Sequence, residues 1–155
     1  MSTAYERLLS HMSDKKIGFW SNREEQAICM DFPGIVGMYR VFVRVRPEEN
    51  QFDVSGQVRI NVWEGCRESV AETVERANYG MAGGTLEMSF EDRELRFFVS
   101  EEFSDDDSDR DIVDRLIDAT RIALDTYLQT ILSVIYGNEL PEDAIRYGLT
   151  GHRGQ

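Results

Sequence analysis

Two cysteines, two histidines and three prolines in 155 residues leave little material for a reactive or metal-bearing centre. Cys29 and Cys66 set up neither a disulfide framework nor a zinc spacing. His11 and His152 stand near opposite ends of the chain, so no Ser-His-Asp arrangement is legible, and neither a metal nor a cofactor is expected. Positive charge is also scarce: 17 Lys and Arg stand against 29 Asp and Glu, a formal net charge of −12. Binding to nucleic-acid phosphates or to an anionic membrane needs clustered cations, so both are excluded as partners. No apolar run approaches the ~20 residues of a membrane span. The opening MSTAYERLLSHMSDKK lacks the basic start and apolar stretch of a signal peptide. A cytoplasmic protein is the expectation.

The chain is nevertheless 41% hydrophobic, enough for one self-sufficient core at this length. One α+β domain over residues 1–147 is expected, with a disordered tail over 148–155. Residues 3–12 read as a short helix capped by Ser2 or Thr3, with Tyr5, Leu8, Leu9 and Met12 on its apolar stripe. Ile17 and Phe19 suit either a short strand or an extended lead-in. Gln26 to Asp31 reads as a strand closed by Phe32-Pro33-Gly34. In the next strand Tyr39, Val41, Val43 and Val45 share one parity, and Arg40, Phe42, Arg44 and Arg46 the other; such alternation marks a strand with one wet side. Gln51 to Val62 returns antiparallel, with Gly56 read as a bulge or twist point.

Arg67 to Asn78 has helical spacing, with Val70, Ala71, Val74 and Ala77 on one face. Gly83-Gly84 opens a hairpin in which Leu86, Met88 and Phe90 alternate, then Leu95, Phe97 and Val99. A long helix from about Ser108 to Tyr136 carries a broad stripe from Ile112 to Ile135, wide enough to lie on a sheet. Pro141 starts a final turn of helix through Ile145.

The chemistry-bearing candidates have plainer explanations. The acidic run Asp105 to Asp109 superficially resembles a calcium loop, but Arg110 and Leu116 stand where that loop needs Gly and Glu; capping of the following helix is the expected role. Gly80 to Gly84 follows a helix and precedes a strand, the reverse of a phosphate loop. Cys29, in the run Ala27-Ile28-Cys29-Met30, reads as a buried thiol. Cys66 precedes a helix, where the dipole can lower a thiol pKa, but no His is near it in sequence. No residue set satisfies the requirements of an active site, and an enzyme is not expected. Two features allow binding. The basic set Arg40, Arg44, Arg46 and Arg59 is either paired across strands with acids such as Glu48 and Asp53, or a stripe for an acidic partner. Aromatic residues left over on the face opposite the core would mark an interface; the candidates are Trp20, Phe42, Trp63 and Phe98, with Arg44 beside them.

Taken in order, helix, three strands, helix, two strands and helix resemble the YbjN family, bacterial proteins described as sensory-transduction regulators. The resemblance rests on Val70 to Asn78, Gly83 to Met88, Asp92 to Phe97, and Asp125-Thr126-Tyr127 in the closing helix. It implies the fold of type III secretion chaperones: small, acidic, α-β-β-β-α-β-β-α and homodimeric. It also implies a noncatalytic protein-binding role, chaperone-like or regulatory. It carries over no catalytic residues. The competing expectation is a small-ligand sensor with a pocket between the sheet and the long helix.

Overall fold

The computed structural model describes residues 2–150, with side chains through 148. Thr3 begins the fold: its Oγ1 accepts the Glu6 N–H at 3.1 Å and caps α1, Ala4–Asp14. Four strands follow, β1 (Trp20–Asn22), β2 (Ala27–Pro33), β3 (Met38–Arg46) and β4 (Gln51–Arg59). Then come α2 (Arg67–Tyr79), the hairpin β5 (Thr85–Ser89) and β6 (Glu94–Glu102), α3 (Asp109–Tyr136) and α4 (Pro141–Thr150). The strands form a single antiparallel sheet in the order β1-β2-β3-β4-β6-β5. This is the expected α+β order with an added edge strand and a longer last helix. Ile17 and Phe19 pack half-buried against the core, and the strand begins only at Trp20. Residues 151–155 of the expected tail lie outside the described residues.

All four helices serve one face of the sheet. The N-terminal half of α3 joins α1 over Ile28, Met30, Val43, Val45 and Phe52. Its C-terminal half, through Leu124, Leu128 and Ile131, packs with α2 over Val58, Leu86, Leu95 and Phe97. Polar contacts fasten the helices to each other and to the sheet. Tyr39, fully buried, donates its hydroxyl to Asp125 at 2.5 Å; burial and the neighbouring carboxylate push its pKa above the ordinary range. Asp114 accepts from His11 Nε2 and Lys15 Nζ, both at 2.8 Å. Burial pushes the Asp114 carboxyl up, but the Lys15 and His11 bonds outweigh it and hold the group below the ordinary carboxylate range.

Gly56 is not a bulge. It pairs in unbroken register with Val41 on one side and Phe97 on the other. A Cβ there would lie 2.5 Å from Thr120 Cγ2 and 2.9 Å from Leu124 Cδ1. The glycine lets Thr120 and Leu124 of α3 approach the β4 backbone closely. Gly56→Ala is therefore expected to cost about 2 kcal/mol through overpacking. Thr120→Ser deletes the nearer methyl and keeps the hydroxyl bond to Leu116 O, so in that background the glycine substitution should cost less than half as much. Chemical denaturation of the four-member cycle checks the coupling.

The acidic run does something other than cap α3. Ser108, at the N-cap, makes no side-chain capping bond; Asp106 instead accepts the Ser108 N–H at 2.8 Å. Asp109 turns back to take the Ser104 N–H at 2.7 Å and an Arg7 N–H at 3.1 Å, which ties α1 to the start of α3. The β4 strand ends at Arg59, three residues before the expected Val62; the Ile60 N–H still bonds Arg93 O at 3.0 Å, one step further along the β4–β6 register.

Candidate functional site

With the helices on one side, the other side of the sheet has no cover. Alternation decides which side chains point there, and the pairing register decides how they line up. Trp20 pairs with Cys29, Cys29 with Phe42, Phe42 with Ser55, Ser55 with Phe98 and Phe98 with Thr85. One row therefore crosses all six strands, alternating a large aromatic with a small side chain. Trp20 is 61% exposed and Phe98 41%; Phe42 and Cys29 are half-buried by their neighbours. Around the row lies an open depression of about 560 Å³, reaching from Trp20 to Phe98 and Ser100.

Charged rows flank the aromatic one. On one side Asp31, Arg40, Gln57, Arg96 and Glu87 are successive neighbours; on the other, Ala27, Arg44, Asp53 and Ser100. Arg40 binds Asp31 through two nitrogens, at 2.9 and 3.2 Å, and its guanidinium lies 5.6 Å from the Trp20 ring centroid. Through the Arg40 hydrogen bond the Asp31 carboxyl is held below its ordinary range. Arg46 lies 2.6 Å from Asp53 and 3.3 Å from Glu49, and Arg44 lies 3.3 Å from Glu25. Arg40, Arg44 and Arg46 of the basic set are thus paired with local acids, with Glu49 rather than Glu48 taking Arg46. Arg59 sits opposite Glu94. On this face the strands place five arginines (Arg40, Arg44, Arg46, Arg59, Arg96) and five carboxylates (Asp31, Asp53, Glu87, Glu94, Glu102). A chain of net charge −12 thus gathers five of its arginines on one face, with Glu25, Glu49 and Asp92 of the adjoining turns adding carboxylates at its rim.

Of the five residues marked in the sequence, Trp20, Phe42, Arg44 and Phe98 meet on this face. Trp63 does not. It follows the end of β4, where strand alternation no longer applies, and packs edge-on against Tyr136 at 5.3 Å between centroids. Cys29 is also displaced from its expected place: it is half-exposed between Trp20 and Phe42, not in the core. Burial pushes its thiol pKa up, so the protonated thiol behaves as a small apolar side chain. Cys66 precedes α2 as a free thiol. Sequence reasoning missed the complementary members of the face, Asp31, Ser55, Thr85 and Arg96. Arg96 was reachable, since it shares parity with Phe98.

Other concavities offer less. The groove between α2 and α4, about 590 Å³, is lined mainly by charged side chains such as Glu72, Glu75 and Glu142. Between the sheet and the helices the two clusters fill the interior; the depression against Arg7, Phe52 and Val113 holds about 10 Å³, room for about one water at most. Among the described residues no three His, Cys, Asp or Glu side chains converge as metal ligands. No helix there is long and apolar enough to cross a membrane.

No protein-family model matches the sequence, and no curated protein matches it. Among solved structures the chain is similar to one described as "Crystal structure of YbjN, a putative transcription regulator from E. coli", with a TM-score of 0.54 and 12% identity over 77% of this chain and 84% of that one. At that identity the likeness is one of fold, and the α+β architecture is the one YbjN adopts.

Proposed function

We propose that this chain is a noncatalytic, regulatory protein-binding module, acting in the cytoplasm, whose contact surface is the open face of the sheet. The observation that carries the reading is the single row holding Trp20, Phe42 and Phe98 on a face that no helix covers. Aromatic side chains fixed on strands present large apolar area at little entropic cost, as binding hot spots do. An apolar segment of a partner buries against the row. The flanking ion pairs form a polar rim, and the acidic remainder of the surface discourages indiscriminate association. The fold likeness to YbjN supports a regulatory role.

The test uses immobilised peptides bearing aromatic or aliphatic side chains, probed with dilute wild-type protein and with a Phe42→Ser/Phe98→Ser variant. Both side chains lie outside the two core clusters, so the variant keeps its fold. Loss of two aromatic anchors is expected to weaken capture by at least about tenfold. Capture that survives this change but disappears with Trp63→Ala would move the contact surface to the Trp63–Tyr136 pair.

A further inference from the structure

The open face is complementary to itself, and we propose that its occupant is a second copy of this chain, docked face to face. The inference rests on reading that face as a protein-binding surface and names the partner. Consider a two-fold axis lying between two such sheets, parallel to the strands, above the line between β3 and β4. That operation sets β3 over β4 of the second copy, β2 over its β6 and β1 over its β5, and every cross-strand row faces itself. Closed, isologous dimers are built this way, and aligned sheets pack about 10 Å apart.

The register then dictates which side chains meet. In the aromatic row Phe42 lies over Ser55, Phe98 over Cys29 and Trp20 over Thr85. Every large side chain enters the notch left by a small one, because large and small alternate along the row and an even number of strands inverts that alternation. Had the sheet five strands, each aromatic would meet an aromatic or itself. The flanking rows obey the same operation. Arg44 lies over Asp53 on one side, and Asp31 over Arg96 on the other, with Arg40 over Gln57. No like charges meet in these three rows.

Charge and area agree with this. Two molecules of net charge −12 repel, and the arginines of the open face offset part of that repulsion where the two copies meet. Six strands about 4.8 Å apart, carrying strands of up to about 30 Å, give a face of roughly 700 Å² per copy, near the 800 Å² of a standard interface.

The diagnostic pair is Asp31 and Arg96. Within one chain they stand three strands apart, about 14 Å, and their own ion pairs run to Arg40 and to Glu87, Asp92 and Glu94. Light scattering over a dilution series is expected to show a wild-type dimer. Asp31→Arg and Arg96→Asp each set like charges face to face at two symmetric points, and each should weaken the dimer by about tenfold or more. Both spoil pairs inside the chain as well, and the double swap inherits both losses, so recovery of the dimer in the double swap comes only from a contact between copies. Ser55→Trp, which fills the notch that Phe42 enters from the open side of the sheet, should also give a folded monomer, its melting temperature lower only by what association adds and independent of protein concentration. A wild type that is monomeric throughout overturns this pairing and leaves the open face as a surface for other proteins. A dimer indifferent to the single swaps and to Ser55→Trp overturns the pairing and counts against the binding surface too.

Discussion

Leu124→Ala should lower stability by about 4 kcal/mol, towards the upper end of the range for buried leucines. Leu124 is fully buried at the middle of α3. Its Cδ1 reaches the position where Gly56 has no side chain, so nothing on the sheet can move in to fill the space it leaves. The sheet is pinned at this point by pairing on both sides of Gly56, and the cavity stays open. For a domain of this size that loss corresponds to a fall of roughly 8–16 °C in melting temperature. Ile122, two residues away on the same helix, is 64% exposed; its alanine variant should stay within about 0.5 kcal/mol of wild type. Thermal and urea melts of the two variants check the contrast.

Asp109→Ala is expected to cost about 3 kcal/mol by stranding two partners at once. The carboxylate is nearly inaccessible, with side-chain exposure of 4%, and its Arg7 partner is 16% exposed. Oδ1 satisfies the Ser104 N–H and Oδ2 an Arg7 nitrogen. Arg7 keeps a second contact, 2.6 Å to the exposed Asp105, which limits the loss. Among the described residues its Nε finds no hydrogen-bond partner. Asp109→Asn keeps an acceptor for the Ser104 amide and gives up only the charge, so it should lose about half as much. The destabilisation belongs to the α1–α3 junction, and amide exchange should accelerate first in α1.

Sustained periodicity made most of the fold legible. Val70 to Ala77, Ile112 to Ile135 and the Leu86–Val99 hairpin repeat their pattern long enough to fix element type, and the structure places them as α2, α3, β5 and β6. Trp20–Asn22 is three residues long, too short for a period of two to register. Pro141, Glu142 and Asp143 form an ordinary first turn for α4, yet nothing local says that the helix outlasts Ile145 and Gly148. The bulge reading of Gly56 fails because a glycine in a strand signals a bulge and a close approach equally, and only the docked helix separates the two. The candidate face was half legible. Alternation told which side of its strand Phe42, Arg44 and Phe98 take, whereas their arrangement into one row depends on register between strands, which turn lengths and the passage through α2 determine. Trp63 was lost to the opposite error, an alternation carried past the end of its strand.

The measurement that bears most directly on the open face as the contact surface is oxidative footprinting of the free chain and of the chain in its associated state. Hydroxyl radicals label accessible aromatic side chains, and two groups of them separate the alternatives: Trp20, Phe42 and Phe98 in the cross-strand row, and Trp63 with Tyr136 outside it. Burial of the row predicts that its three aromatics lose labelling together on association, while Trp63 and Tyr136 react as before. Protection of Trp63 and Tyr136 with the row still open would contradict the account.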